Sequence, residues 1–290
     1  MTRRKADAAL AVNTILWGAT FVLVKGTLSN ISPILFLALR FSVAAAALPL
    51  LLRLPMPIRA ADFGPGMLAG SLLFLGYAFQ TVGLQFTSAP KSAFLTGMTS
   101  VMVPLLATFV YKSRPRFSEL LGVLVATAGM GLMTLEGPFG SMNRGDALTL
   151  ACAIAFAGHI VTVGHFSGKM HFETLSAFQV TTAALWAGSL FWWIERPRVA
   201  WRPGVIFTVV VTGLLATALA FTVQAWAQQY TTSTRTALIY MLEPVVAWLT
   251  SYILAGEGLT RRAAAGAALI LGGVLLVEAK PLNPRPHPPK

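Results

Sequence analysis

The sequence predicts an all-α polytopic membrane protein of ten transmembrane helices, arranged as two inverted five-helix repeats around a central cavity. Three observations predict it: a composition too apolar for a water-soluble fold, ten separate apolar runs of membrane-crossing length, and a pattern of residues spelled twice.

Of 290 residues, 56% are hydrophobic and 11% charged, against roughly a quarter charged in an average soluble domain. A soluble chain of this length would lack the polar side chains to cover itself. Runs of about 20 residues, the length that crosses a hydrocarbon core of ~30 Å, occur near 8–28, 33–52, 63–86, 92–111, 118–135, 147–167, 174–194, 204–228, 235–255 and 262–279. The connections leave no room for a soluble domain. The first run follows the charged start MTRRK, but it exceeds the ~7–15 residues of a signal-peptide core and no small-residue cleavage site follows promptly, so it reads as a retained helix. The closing KPLNPRPHPPK is too rich in proline for a helix, and 281–290 read as a disordered tail.

A net charge of +12 would suggest a nucleic-acid partner in a soluble protein. Here the cations belong to loops, and short cytoplasmic loops hold the excess of Lys and Arg. With the N-terminus inside, Arg3, Arg4, Lys5, Arg53, Arg59, Lys112, Arg114 and Arg116 all fall on the cytoplasmic side, and the outer connections near 29–33 and 87–90 carry none of the Arg. The second half breaks the rule, since Arg196, Arg198, Arg202, Arg261 and Arg262 would lie outside.

The repeat accounts for this. QFTSAPKSAFL at 85–95 returns as QYTTSTRTALI at 229–239, an offset of 144 that also pairs Gln80 with Gln224, Thr87 with Thr231, Lys91 with Arg235, Gly122 with Gly266 and Gly129 with Gly273. Earlier in each half the offset is 139, pairing Asp7 with Asp146, Ile15 with Ile154, Val22 with Val161 and Ala38 with Ala177. Each unit holds five helices, an odd number, so the second copy enters the membrane upside down, and its basic loops are duplicated cytoplasmic loops turned outward. The expected units are 1–140 and 141–280, with both termini cytoplasmic. Inverted repeats are the architecture of many secondary transporters, whose site lies near the bilayer midplane between the repeats.

WGATF at 17–21, LRF at 39–41, LEPV at 242–245, GE at 256–257 and the glycines Gly122, Gly266 and Gly273 together resemble the drug/metabolite transporter superfamily in its EamA-type branch, over about residues 8–279. The resemblance implies a ten-helix carrier of the inner membrane that exports small metabolites through a cavity lined by helices one, three, four, six, eight and nine. Within that superfamily the chain looks most like exporters of aromatic and other neutral amino acids. The first repeat departs from the pattern. It has Thr99 and Ser100 where the second has Glu243 and Pro244, its Pro104 falls a turn late, and Lys112 and Ser113 stand in place of Gly256 and Glu257.

Helical spacing picks out the lining independently. Ser92, Thr96 and Thr99 share one face of the fourth helix, and their partners on the ninth are Thr236, Tyr240 and Glu243. Asn13, Trp17 and Thr20 make the same stripe on the first helix, with Cys152, Phe156 and His159 as partners on the sixth. Polar faces avoid lipid and turn inward, either to line a cavity or to hydrogen-bond between helices. Tyr77, Gln80 and Gln224 extend the set. Four ionisable residues lie inside apolar runs: Glu243 beside a proline is the functional candidate, Arg40 reads as structural because Gln179 replaces it in the repeat, Lys25 snorkels to a surface, and His159 is either a proton carrier or a hydrogen-bonded core residue. The lone Cys152 reads as a small buried hydrophobe with no disulfide or metal partner. Gly66, Gly70 and the glycines of helices five and ten read as packing positions.

These readings call for a small amphipathic solute and the bilayer as partners, a monomer as the working unit, and no cofactor, catalytic residue or nucleic acid. The alternatives are a channel, a structural membrane protein or an intramembrane hydrolase. GHFSG at 164–168 puts a Ser near a His, but at a helix end and without the turn of a nucleophile elbow. No Walker-type GxxxxGK[ST] is present.

Overall fold

The computed structural model describes residues 2–54, 58–87, 89–112, 116–135, 142–255 and 260–279. Among these, secondary structure is helical apart from one isolated antiparallel bridge between Ile31 and Val199. The helices are α1 (Arg3–Thr27), α2 (Pro33–Leu51), α3 (Phe63–Gly83), α4 (Ala89–Gly97), α5 (Thr99–Tyr111), α6 (Phe117–Thr134), α7 (Arg144–Phe166), α8 (Phe172–Ile194), α9 (Pro203–Gly213), α10 (Ala220–Ala227), α11 (Ser233–Tyr240), α12 (Glu243–Ala255) and α13 (Arg261–Ala279). A π-helical turn, Leu214–Leu219, joins α9 to α10. The pairs α4–α5, α9–α10 and α11–α12 are interrupted single crossings, so ten passes stand where ten apolar runs are predicted. The predicted tail 281–290, the pair Gly256 and Glu257 and the side chain of Lys25 lie outside the described residues.

Six stretches are long and apolar enough to cross a membrane by themselves: Pro33–Leu51, Ala60–Gly83, Lys91–Tyr111, Phe117–Thr134, Arg144–Phe166 and Pro203–Ala227. Large apolar side chains stand exposed on the outer faces of the helices, Leu50, Phe109, Leu124 and Ile253 among them. That suits hydrocarbon as the solvent and would be an aggregation hazard in water. The protein is an all-α polytopic membrane protein, as its composition predicts.

Local chemistry starts and stops the passes. Pro33 and Pro203 occupy the first turns of α2 and α9, where their missing N–H is no loss. Asn143 and Asp146 form a reciprocal capping box on α7, with Oδ1 of Asn143 accepting from the Asp146 N–H at 3.0 Å and Oδ2 of Asp146 accepting from the Asn143 N–H at 2.9 Å. The Glu195 carboxylate, just past α8, accepts the free N–H groups of Ile34 (3.1 Å) and Leu35 (2.8 Å) at the start of α2. The end of α8 is thereby tied to the beginning of α2, so these repeat-related helices run antiparallel.

The same inversion is visible in the glycines. A Cβ on Gly122 would come within 2.7 Å of the Gly273 carbonyl oxygen, and one on Gly129 within 2.6 Å of that of Gly266. Read along the two helices, 122 meets 273 and 129 meets 266, so α6 and α13 pack antiparallel, backbone on backbone. On α3, Gly66 and Gly70 admit Phe178 and the Gln179 backbone of α8 in parallel register, whereas Gly76 and Gly83 admit Phe156 and Thr149 of α7 in antiparallel register. Of the predicted packing glycines, Gly66, Gly70, Gly122, Gly129, Gly266 and Gly273 meet a neighbouring helix too closely for a side chain, whereas Gly131 is less tightly approached and Gly272 faces open space.

Both interrupted passes of the repeated stretch break at the same place. Met98 turns the chain between α4 and α5, and Met241 with Leu242 does so between α11 and α12. At the two turns the N–H of Met98 bonds to the Leu95 carbonyl at 3.2 Å and that of Leu242 to the Ile239 carbonyl at 3.0 Å, equivalent bonds at an offset of 144. Pro244 removes a donor from the second break. In the first, the Thr99 hydroxyl donates to the Thr96 carbonyl at 2.6 Å and satisfies it.

Candidate functional site

The predicted stripes converge midway along the passes. From α1, Asn13 donates through Nδ2 to the Ala220 carbonyl (2.7 Å) and Trp17 through Nε1 to the Ala216 carbonyl (2.8 Å), which fastens α1 to the π turn and the residue after it. π turns release carbonyls from the regular ladder and recur at functional sites. Here the released groups are taken up by inward side chains. From α3, Gln80 donates to the Thr96 hydroxyl at 3.2 Å, and that hydroxyl lies 3.9 Å from the Cys152 sulfur on α7.

Aromatic rings close the centre. Trp17 meets Tyr240 edge-on at 4.8 Å between centroids and leans on Phe221 at 5.5 Å. Tyr77 meets Phe156 at 5.2 Å and Phe221 at 6.3 Å. Trp17 and Phe156 are repeat partners at an offset of 139, and Tyr77 and Phe221 at 144, so each half contributes two rings, each packed on a ring of the other half. Trp17, Tyr77, Phe156 and Tyr240 are only half-buried even here, and so is Glu243 at the α11–α12 break.

Other predicted residues are engaged in local bonds. The Thr20 hydroxyl donates to the Leu16 carbonyl of its own helix, and Thr99 also reaches the Ala153 carbonyl at 3.3 Å. Gln224 donates to Gln228, which in turn donates to the Ile160 carbonyl. His159 is fully enclosed, with Nε2 2.8 Å from Oε1 of Gln179 and its ring edge-on to Phe221, so it occupies the hydrogen-bonded core position. Ser92 is buried on α4.

Two residues beyond the predicted lining belong to this cluster. Phe221 carried a signal, because it stands at the repeat offset from Tyr77. Arg40 is the more consequential. Its guanidinium enters from α2, 4% exposed, donating through Nε to the Thr217 hydroxyl (2.7 Å) and through one terminal nitrogen to the Tyr77 hydroxyl (3.2 Å) and the Ala216 carbonyl (3.1 Å). It also lies over the Tyr77 ring at 4.6 Å. Among the described residues no carboxylate comes within ion-pairing distance of it, although Glu243 is near enough to feel its charge. A buried guanidinium held only by neutral acceptors is an unusual expense for a purely structural residue.

The EamA-like transporter family model matches this chain twice, over residues 4–135 and 143–279. The chain belongs to the EamA-like transporter family. Similar to it is a protein of Archaeoglobus fulgidus named as an uncharacterized transporter, 35% identical over 278 residues that cover 96% of this chain and 87% of the relative. A second relative, the "Probable terminal-alkyne amino-acid exporter" of Streptantibioticus cattleyicolor, is 26% identical over 98% of this chain and 97% of its own. A solved structure shares the fold with a TM-score of 0.79, at 21% identity and over 96% of this chain and 98% of that one. Membership in this family of transporters accords with the prediction that the protein is not an enzyme. It also accounts for the repeat, one match falling on each half.

Proposed function

We propose that this EamA-family protein is a secondary carrier that exports small amphipathic solutes, aromatic and other neutral amino acids foremost, by alternating access between its two halves. The observation that carries this reading is the composition of the central cluster: four half-buried rings, Trp17, Tyr77, Phe156 and Tyr240, beside the amides and hydroxyls of Asn13, Gln80 and Thr96. Aromatic walls supply contact area while a few buried polar groups set orientation. Arg40 adds a guanidinium and Glu243 a carboxyl group. That pair matches the carboxylate and ammonium of an amino acid, Arg being the usual partner of a carboxylate. A phosphorylated solute would ask for several cations, and Arg40 is the one cation described in this cluster. The relative named as an amino-acid exporter supports the same class.

The repeats, 1–140 and 141–280, then rock about the glycine seam of α6 and α13, with both termini on the cytoplasmic side of the inner membrane and one chain as the working unit. Uptake of radiolabelled amino acids into proteoliposomes tests the reading. Saturable flux of phenylalanine or tryptophan, accelerated by unlabelled solute on the opposite side, is the expected result. Flux that neither saturates nor exchanges indicates a channel, and preference for a phosphorylated solute overturns the substrate class.

A further inference from the structure

The repeated stretch does not supply only the central site. Its first residues sit at the ends of the bundle, and there each copy grips the opposite half. Thr87 and Lys91, from the first half, hold Asp146 at the start of α7: the threonine hydroxyl donates to Oδ1 at 2.6 Å and Nζ of Lys91 lies 2.6 Å from Oδ2. Thr231 and Arg235, from the second half, hold Asp7 near the start of α1 at 2.7 Å and 3.0 Å. All four of these positions, and both aspartates, are repeat partners of one another. Both carboxylates are buried, at 0% and 8% exposure. Arg3 adds a contact to Asp7 at 3.8 Å, and Arg235 also donates to the Val277 carbonyl of α13 at 3.1 Å.

The two clamps lie at opposite ends of the molecule. Gly83 abuts Gly145, so the Asp146 clamp is at the C-terminal end of α3. The parallel packing of α3 on α8 and the tie from Glu195 to Ile34 put that end level with the start of α2, hence with the end of α1. Asp7 is at the other end of α1, about 30 Å away at 1.5 Å of rise per residue. The central cluster lies between.

We propose that these clamps are the two gates of the carrier. The inference rests on the alternating-access reading above and assigns its gating residues. The Asp146 clamp ties α7 to α4, and the next contact inward between those passes is the Thr96 to Cys152 approach in the central cluster. The Asp7 clamp ties α1 to α11, and further inward between those passes come Leu10 and Ile239, buried in one cluster, and then Trp17 on Tyr240. Parting either clamp therefore opens a route from one face to the same centre. A buried ion pair suits this task, because the cost of desolvating its charges nearly cancels their attraction. The closed pair and the open, hydrated pair then lie close in free energy, whereas half-open geometries lose the attraction without regaining water. In this structure both gates are closed.

The lone cysteine provides the test. Cys152 is fully buried beside Thr96, and a charged, membrane-impermeant methanethiosulfonate reaches it only through an open gate. Reagent is applied to one face at a time of vesicles holding the full-length protein, without solute. Lys91→Met is expected to raise the labelling rate about tenfold from the Asp146 face alone, a rise that an open state populated at ~0.1–10% leaves room for. Arg235→Met is expected to do so from the Asp7 face alone. Lys91→Arg, which keeps the cation against Asp146, should leave the rate near that of the unaltered protein. If Lys91→Met fails to fold, Thr87→Val is the milder variant and should act in the same direction. A second reporter, Gln80→Cys in a Cys152→Ala background, reads the same openings at a half-buried position. Equal labelling from both faces, or no rise at either reporter, would leave the clamps as staples of helix ends and overturn the proposal. Directional labelling without flux of any amino acid would sink the substrate reading and keep the gates. Saturable flux with undirected labelling would do the reverse.

Discussion

Replacing Arg40 by Met separates a solute-binding role from a structural one, because the structure shows how little depends on the guanidinium otherwise. Thr217 keeps its own hydrogen bond to the Thr212 carbonyl at 2.9 Å, and the Ala216 carbonyl still accepts from Trp17 at 2.8 Å. Tyr77 loses a donor and a cation over its ring. Those losses amount to about 1.5–3 kcal/mol for the charge-assisted bond and ~0.5–2 kcal/mol for the cation–π contact, offset in part because a buried charge no longer has to be kept from water. Fold stability should therefore shift by about 1–4 kcal/mol. A solute carboxylate, by contrast, loses a charge-assisted bond of about 1.5–3 kcal/mol, which is roughly a 10- to 150-fold loss of affinity at ~1.4 kcal/mol per factor of ten. The assay is counterflow in proteoliposomes, with half-saturation compared between phenylalanine and phenylalaninamide. The loss should be confined to phenylalanine, since the amide has no carboxylate to bind. An equal loss for both, or a large fall in the unfolding midpoint with the ratio unchanged, refutes the argument and returns Arg40 to a structural role.

Three further outcomes are expected. Glu243→Gln should abolish the response of flux to an imposed pH gradient while solute-for-solute exchange persists, both read in the same vesicles; loss of both together with thermal stability would make Glu243 structural. Gly273→Ala should lower the unfolding midpoint in detergent, because its Cβ would meet the Gly122 carbonyl oxygen at 2.6 Å, an overpacking worth about 1–3 kcal/mol, whereas neighbouring Gly272, with open space around it, should tolerate Ala or gain up to ~1 kcal/mol. Trp17→Ala and Tyr240→Ala should each weaken phenylalanine and tryptophan more than alanine or serine, by about tenfold for a buried ring of this size; equal losses in competition assays would leave these rings as packing.

Much of this was legible in the sequence because membrane helices are selected by length and apolarity, which single residues report directly. The glycine seam was legible for a similar reason, since only a missing side chain lets Gly122 and Gly273 bring two backbones together. The π turn was not. Leu214–Leu219 reads LLATAL, and a shift in backbone hydrogen-bond register leaves no mark on apolar periodicity. Arg40, which the repeat reads as structural, stands against the Tyr77 ring, a placement the repeat does not show because its logic treats a residue without a matching partner as incidental. His159 bonded to Gln179 shows where that logic fails, because Gln179 is the partner of Arg40 and His159 that of Thr20. The same two helix positions serve a neutral core bond in one half and a guanidinium held by Thr217, Tyr77 and the Ala216 carbonyl in the other.

That division follows from what a carrier must do. Its frame has to be nearly symmetric, so that the arrangements open to either side have similar energies, and the seam and the Asp clamps match residue for residue across the repeat. A solute with one apolar body and two unlike charged ends has no such symmetry. On the proposed reading a site to hold it breaks the repeat at a few positions, and the repeat does differ where Arg40 has Gln179 as its partner, Glu243 has Thr99 and Tyr240 has Thr96. Three of these six, Arg40, Tyr240 and Glu243, gather with Tyr77 and Trp17 about one centre. If the proposed site and gates hold, divergence at repeat-equivalent positions points to the binding residues of this inverted-repeat protein, and agreement to its hinge and gates.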